Sequence, residues 1–138
     1  MIAFLPELRQ YLKEQGYSLT KPRLAVFQAL QGQEPQTMHE LVVACRGTDR
    51  ASVYRTVALF EQIGIVQRLQ IGWKYKLELT DTFSHHHHHL TCTKCGRVIS
   101  FDESPALEEE LQRIADDKKF KIQAHQLEIQ GLCPACQN

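Results

Sequence analysis

The amino-acid sequence predicts an α+β chain in two parts. Residues 1–80 read as a winged helix, residues 81–84 as a short hinge, and residues 85–138 as a small α/β unit closed by a four-cysteine zinc site. Three observations carry this. Helical periodicity runs to about Gln62 and then gives way to strict alternation; two Cys-x-x-Cys pairs bracket the second half; and five consecutive histidines, His85 to His89, stand just ahead of the first pair.

The first helix follows from Phe4, Leu5, Leu8, Tyr11 and Leu12 at helical spacing, with Gly16 as its stop. Thr20 before Lys21-Pro22 suits an N-cap with proline in the first turn, and Leu24, Phe27 and Leu30 mark the buried stripe of the second helix. Thr37-Met38-His39-Glu40 is the Thr-x-x-Glu capping box of a third helix carrying Leu41, Val42 and Cys45. Cys45, alone on that apolar face, reads as a small core residue. A fourth helix spans Asp49 to Gln62, with Val53, Val57, Phe60 and Ile63 inward. Two strands follow, parted by Gln70-Ile71-Gly72. The second alternates Trp73, Tyr75, Leu77 and Leu79 against Lys74, Lys76 and Glu78. Helices followed by a two-stranded wing make the winged-helix pattern.

Thr80 to Ser84 is polar and turn-like and marks the hinge. The second half continues with a strand Arg97–Phe101, a helix from Ser104 to Lys118 with Leu107, Leu111 and Ile114 inward, and a last strand from Phe120 to Gln130. A unit this short buries little surface, so a metal staple and a partner subunit are both expected.

Net charge is zero: residues 1–70 hold eight Lys/Arg and six Asp/Glu, residues 71–138 eight and ten. Charge alone therefore makes no case for nucleic acid, and motifs must. The hydrophobic fraction of 43% is that of a globular chain. No apolar run approaches the roughly 20 residues a spanning helix needs. With no basic leader at Met1–Glu7, a cytoplasmic protein that avoids the membrane is expected.

Cysteines in such a setting are metal ligands or buried thiols rather than disulfides. Cys92 and Cys95, with Cys133 and Cys136, can close a tetrahedral sulfur site of the kind zinc accepts, with no position open to substrate. The alternative, two redox-active pairs, lacks a thioredoxin-like βαβ context. The histidine run is interior, unlike an expression tag; a solvated loop is its other plain reading. If it is extended, His87 and His89 face one way and His86 and His88 the other, so one strand could serve two metal sites. Imidazole does not choose the metal. Glu78, Glu108 and His125 could complete such sites, although each taken singly reads as an ordinary strand or surface residue.

These residues resemble a known family. His85 to Gly96 (HHHHHLTCTKCG) is similar to the signature of the ferric uptake regulators, and Ala51 to Val57 (ASVYRTV) resembles their recognition helix. Thr20 to Arg23 resembles the opening of their second helix, and Gly131 to Cys136 their closing knuckle. The resemblance spans essentially the whole chain. It implies a homodimeric metal-responsive repressor of metal-homeostasis or oxidative-stress genes, with an N-terminal winged helix for double-stranded operator DNA and a C-terminal dimerisation domain. It further implies structural zinc on Cys92, Cys95, Cys133 and Cys136. A regulatory hinge site would use Glu78, His87 and His89, and a second site His86, His88, Glu108 and His125, with Zn, Fe or Mn as the second divalent metal. The chain departs from the pattern at Pro35, where many members place a histidine ligand (His39 lies one turn further on). It departs again at Ser100, where an acid or histidine is frequent, and no hinge cysteine is present.

A winged helix would lay its fourth helix in the major groove, so Arg50, Ser52, Tyr54, Arg55 and Thr56 are the candidate DNA contacts, with Lys21 and Arg23 on phosphates. Metal joining Glu78 to His87 and His89 would favour one spacing of the two winged helices in the dimer. Two other readings are a hydrolase built on the histidine cluster, which lacks an HExxH or similar motif, and a peroxide-sensing or metal-buffering protein.

Overall fold

The computed structural model describes residues 4–138. The reading of Met1–Ala3 as part of a leader-free start falls outside them. The chain divides into two compact units, one ending at Ser84 and the other His85–Asn138.

The first unit contains α1 (Leu5–Glu14), α2 (Lys21–Leu30), α3 (Met38–Ala44), α4 (Arg50–Gln62) and a hairpin of β1 (Val66–Ile71) and β2 (Lys74–Leu79). Its helix starts follow from side chains that satisfy the orphan amides of the first turn. Thr20 accepts from the Arg23 amide, and Asp49 from the Ser52 amide. Thr37 and Glu40 form a complete capping box. Phe4 stands outside α1 as its left-handed N-cap at φ 62°, so it does not belong to the helical stripe. In α2 the buried set is Val26, Phe27 and Leu30; Leu24 is only half-buried. Leu8, Leu12, Phe27, Leu41, Val53 and Phe60 form the centre of one core. Each such side chain contributes about 1.5–3 kcal/mol by leaving water.

Gly72 and Trp73 join the hairpin in two residues, with Ile71 paired to Lys74 and Gly72 at φ 61°, the conformation glycine supplies at the first position of a type II′ turn. Trp73 therefore projects from the turn, 86% exposed, instead of joining the inner face. At the other end of β2 both faces are covered, so Leu77, Glu78 and Leu79 are all buried and the expected polar face is lost there. The predicted hinge segment is tied to this unit. Thr80 donates from Oγ1 to the Gly64 carbonyl at 2.7 Å, and Phe83 is buried with its ring edge-on to Phe27 and Tyr11 at 5.5 Å.

The second unit is a three-stranded sheet in the order β4-β3-β5, with β3 (His87–Cys92) central, β4 (Val98–Asp102) antiparallel to it and β5 (Glu128–Gly131) parallel. The helix α5 (Pro105–Asp117) connects β4 to β5. Its expected inner face is shallow: Leu107 and Leu111 are half-buried and Ile114 is exposed, while Ala115 is buried. The expected strand from Phe120 to Gln130 is reduced to β5. Residues 120–127 pair with no strand among the described residues, and a strand exists only through its ladder. Phe120, predicted to begin that strand, is 73% exposed.

Candidate metal centres

The four cysteines converge because β3 and β5 run in parallel register. Cys92 lies opposite Gly131, so both knuckles leave the same end of the sheet. Gly96, at φ 78°, lets the first knuckle fold back, its amide donating to the Cys92 carbonyl at 2.9 Å. The second knuckle is a single 3-10 turn, Pro134–Cys136, closed by the Cys136 amide on the Cys133 carbonyl at 2.9 Å. The four sulfurs lie within 4.8 Å of one another. The Cys95 and Cys133 sulfurs are 3.8 Å apart, too far for a disulfide. A tetrahedron with Zn–S bonds of about 2.3 Å has edges of about 3.8 Å, so the donor set fits zinc. Backbone amides of Cys133 and Cys95 pull the Cys92 thiol down to about 6, while Cys136, hydrogen-bonded by its neighbour Cys133 and losing solvent, is pushed up to about 12. Four sulfurs this close cannot all carry charge unaided; a divalent cation at their centre removes the conflict.

A second cluster stands on the adjoining part of the same unit. His86 precedes β3, His88 lies within it, Glu108 is in the first turn of α5, and His125 comes from the irregular segment. Their donor atoms also lie within 4.8 Å of one another. Glu108 is the hub. Its Oε1 is 3.2 Å from His86 Nε2 and 2.8 Å from His88 Nε2, and its Oε2 is 2.8 Å from His125 Nε2. The bond with His88, and the nearby His125 and His86, hold its carboxyl below the usual carboxylate range. His86 Nε2 and His125 Nε2 face each other at 3.0 Å. Nitrogens so placed need a proton or a cation between them, and three imidazoles with one carboxylate suit a divalent transition ion. His88 is 1% exposed, and its Nδ1 has no hydrogen-bond partner among the described residues.

His87 and His89 take the opposite phase of β3, with ring centroids 4.8 Å apart and planes at 80°. The Nδ1 of His87 is 2.6 Å from the His85 carbonyl, and that of His89 is 3.1 Å from Glu128 Oε1. Glu128 escaped the sequence reading. Glu78, in the first unit, is buried on β2 and accepts from the Gln67 side-chain amide at 2.8 Å. Pro35 is buried, and His39 is exposed on α3 and enters no donor cluster among the described residues.

On α4, Arg50 lies over the Tyr54 ring at 5.4 Å and donates to its hydroxyl at 3.3 Å. Arg55 donates to Ser52 Oγ at 3.1 Å, and Ser52 donates to the capping Asp49 at 2.6 Å. Arg50, Tyr54 and Arg55 are exposed and Ser52 is half-exposed. Thr56 is not available in this way. It is 6% exposed, on the helix face shared with Val53, Val57 and Phe60, and is withdrawn from the DNA-contact set. Lys21 is exposed, while Arg23 is held by the Ser18 carbonyl at 2.6 Å and stacks over Tyr17 at 5.4 Å.

The comparisons with known proteins agree with this composition of elements. Residues 14–130 match the ferric uptake regulator family model. The ferric uptake regulation protein of Legionella pneumophila is 35% identical over 138 residues, covering 95% of this chain and 99% of its own. The Vibrio cholerae ferric uptake regulator structure superposes with a TM-score of 0.71 at 31% identity, covering 91% of this chain and 99% of that one. The Helicobacter pylori regulator, described as having three functional metal-binding sites, superposes at 0.78 with 24% identity over 99% and 93% of the two chains, a likeness of fold. The class so defined is the metal-responsive transcriptional regulator, a DNA-binding protein. The chain belongs to the ferric uptake regulator family. The hydrolase reading finds no support in these relatives. Among the described residues no helix is long and apolar enough to cross a membrane.

Proposed function

We propose that the chain is a cytoplasmic, homodimeric repressor, without enzymatic activity, whose grip on operator DNA depends on a divalent metal. Residues 1–80 act as the winged-helix DNA-binding domain, 81–84 as the hinge, and 85–138 as the dimerisation and metal-binding domain. The observation that carries this is the use of one strand, β3, for three donor sets. It ends in the Cys92 knuckle and presents His88 to Glu108, while His87 and His89 take the other phase.

Zinc on Cys92, Cys95, Cys133 and Cys136 fastens the second unit; it supplies folding energy and no reaction. His86, His88, Glu108 and His125 hold a second divalent ion. His87 and His89, with Glu78, form the regulatory site, taking Zn, Fe or Mn. Because Glu78 and the histidines come from different halves of the chain, a metal bound by all three restrains one half against the other. The outward residues of α4, Arg50, Ser52, Tyr54 and Arg55, read the operator, and Lys21 and Arg23 contact phosphates. Exposed Ile114 and Phe120, in a unit with few buried apolar residues, support a second copy as cover.

Operators would be selected from a random duplex library with metal-loaded protein. Affinity for the selected duplex would then be measured by fluorescence anisotropy with Mn²⁺ or Zn²⁺ and after chelation. Tight binding only in the loaded state is expected. Equal affinity in the two states refutes the proposal.

A further inference from the structure

Both histidines of the regulatory pair have a built partner on the ring nitrogen Nδ1. For His87 it is the His85 carbonyl at 2.6 Å, and for His89 the Glu128 carboxylate at 3.1 Å. A carbonyl or carboxylate oxygen only accepts, so each Nδ1 carries a hydrogen, and in the neutral ring the lone pair resides on Nε2. In the second cluster the direction is reversed. His86, His88 and His125 turn Nε2 toward Glu108, and the buried Nδ1 of His88 has no hydrogen-bond partner among the described residues.

Register explains how Glu128 comes to this place. His89 is flanked on β4 by Ser100 and on β5 by Glu128. This chain therefore has no acid beside His89 on β4 and has one on the opposite neighbour. The Glu128 oxygen meets Nδ1, and a metal on Nε2 would lie across the ring from it, so the same carboxylate oxygen serves as a partner of the ligand and not as a ligand. His89 is 2% exposed, which leaves water little access to take over that role.

We propose that Glu128 is a positioning residue for the regulatory metal: by accepting from Nδ1–H of His89 it fixes the tautomer and ring orientation that present Nε2 to the ion. This rests on His89 being a ligand of that site. Partners of this kind orient metal-bound imidazoles, and their loss costs about 10–100-fold in metal affinity.

The test uses full-length protein with ¹⁵N-labelled histidine. The tautomer of His89 is read in the metal-free regulatory site, and its Nε2 resonance is followed through a Zn²⁺ titration against a competing chelator. Wild type should show Nδ1–H, with zinc arriving at Nε2. Glu128→Leu should mix the tautomers and weaken zinc binding at His89 by about 10–100-fold, with zinc at the four cysteines retained. Glu128→Gln, which keeps an accepting oxygen, should restore both readouts to within a few-fold of wild type. An unchanged tautomer and affinity in Glu128→Leu overturns the proposal, as does wild-type zinc arriving at Nδ1. His89→Ala separates the failures: if it leaves the zinc stoichiometry unchanged, the assignment of His89 as a ligand is what fails.

Discussion

Replacing Cys133 or Cys136 by serine should unfold the second unit and leave the first intact. Among the described residues the second unit buries few apolar side chains; Cys92, Val98 and Ala115 are the buried ones, and the main core belongs wholly to residues 8–83. At about 1–3 kcal/mol each, these three supply about 3–9 kcal/mol. A closed four-thiolate zinc site supplies about 10–16 kcal/mol, comparable with the entire stability of a small domain, about 5–15 kcal/mol. The metal term therefore decides whether His85–Asn138 is folded. Hydrogen exchange read by mass spectrometry checks this peptide by peptide. Amides of β3, β5 and α5 should lose protection in Cys133→Ser, while those of α2 and α4 keep it. Persistent protection of β3, with zinc shown absent by elemental analysis, would refute the reasoning and return the stability to packing.

Thr37→Ala removes half of the capping box and should cost about 1 kcal/mol in urea denaturation, with no change in metal stoichiometry. Asp49 has its carboxyl held below the usual 3.8 by the Ser52 hydroxyl and amide, so its contribution is present above the unfolded value and lost as pH falls through the lower folded one. Asp49→Ala should thus be less stable than wild type at neutral pH and converge with it in acid; a gap that stays constant with pH contradicts this. Arg55→Ala should weaken operator binding and lower the salt slope by about 1 if Arg55 meets phosphate. Buried Thr56→Val should leave affinity unchanged, and equal losses in anisotropy titrations would undo the assignment of faces. Trp73, the single tryptophan, is 86% exposed, so its emission should barely shift on unfolding, whereas circular dichroism reports the full transition.

The helical half was legible because its signals are local. Thr37 and Glu40 cap where their spacing says they should, and Val53, Val57 and Phe60 face inward at the expected turns. Thr56 was misplaced because a helix of this burial hides more than a single stripe; a position next to Val57 can still fall on the covered arc. Trp73 was misplaced for a different reason. The alternation of the sequence runs through it, but the two-residue connection begins at Gly72, and a side chain in the turn belongs to neither face. The Phe120–Gln130 strand failed at the level of partners. Its apolar alternation is real, yet among the described residues only Glu128–Gly131 finds a neighbouring strand.

Glu128 shows what pattern reading could have reached by one more step. The two Cys-x-x-Cys knuckles must emerge together, and the structure meets this with Cys92 beside Gly131 on parallel strands. Counting back three residues on each strand from that pairing brings His89 beside Glu128. The same register explains why adjacent histidines do not compete for one ion. A strand turns successive side chains to opposite faces, so His88 is committed to Glu108 while His89 is committed to Glu128. A shift of β3 by one residue would exchange these partners and separate Cys92 from Cys133 at the same time. Zinc bound at the four cysteines would hold that register and so keep the two histidine sets distinct without touching either.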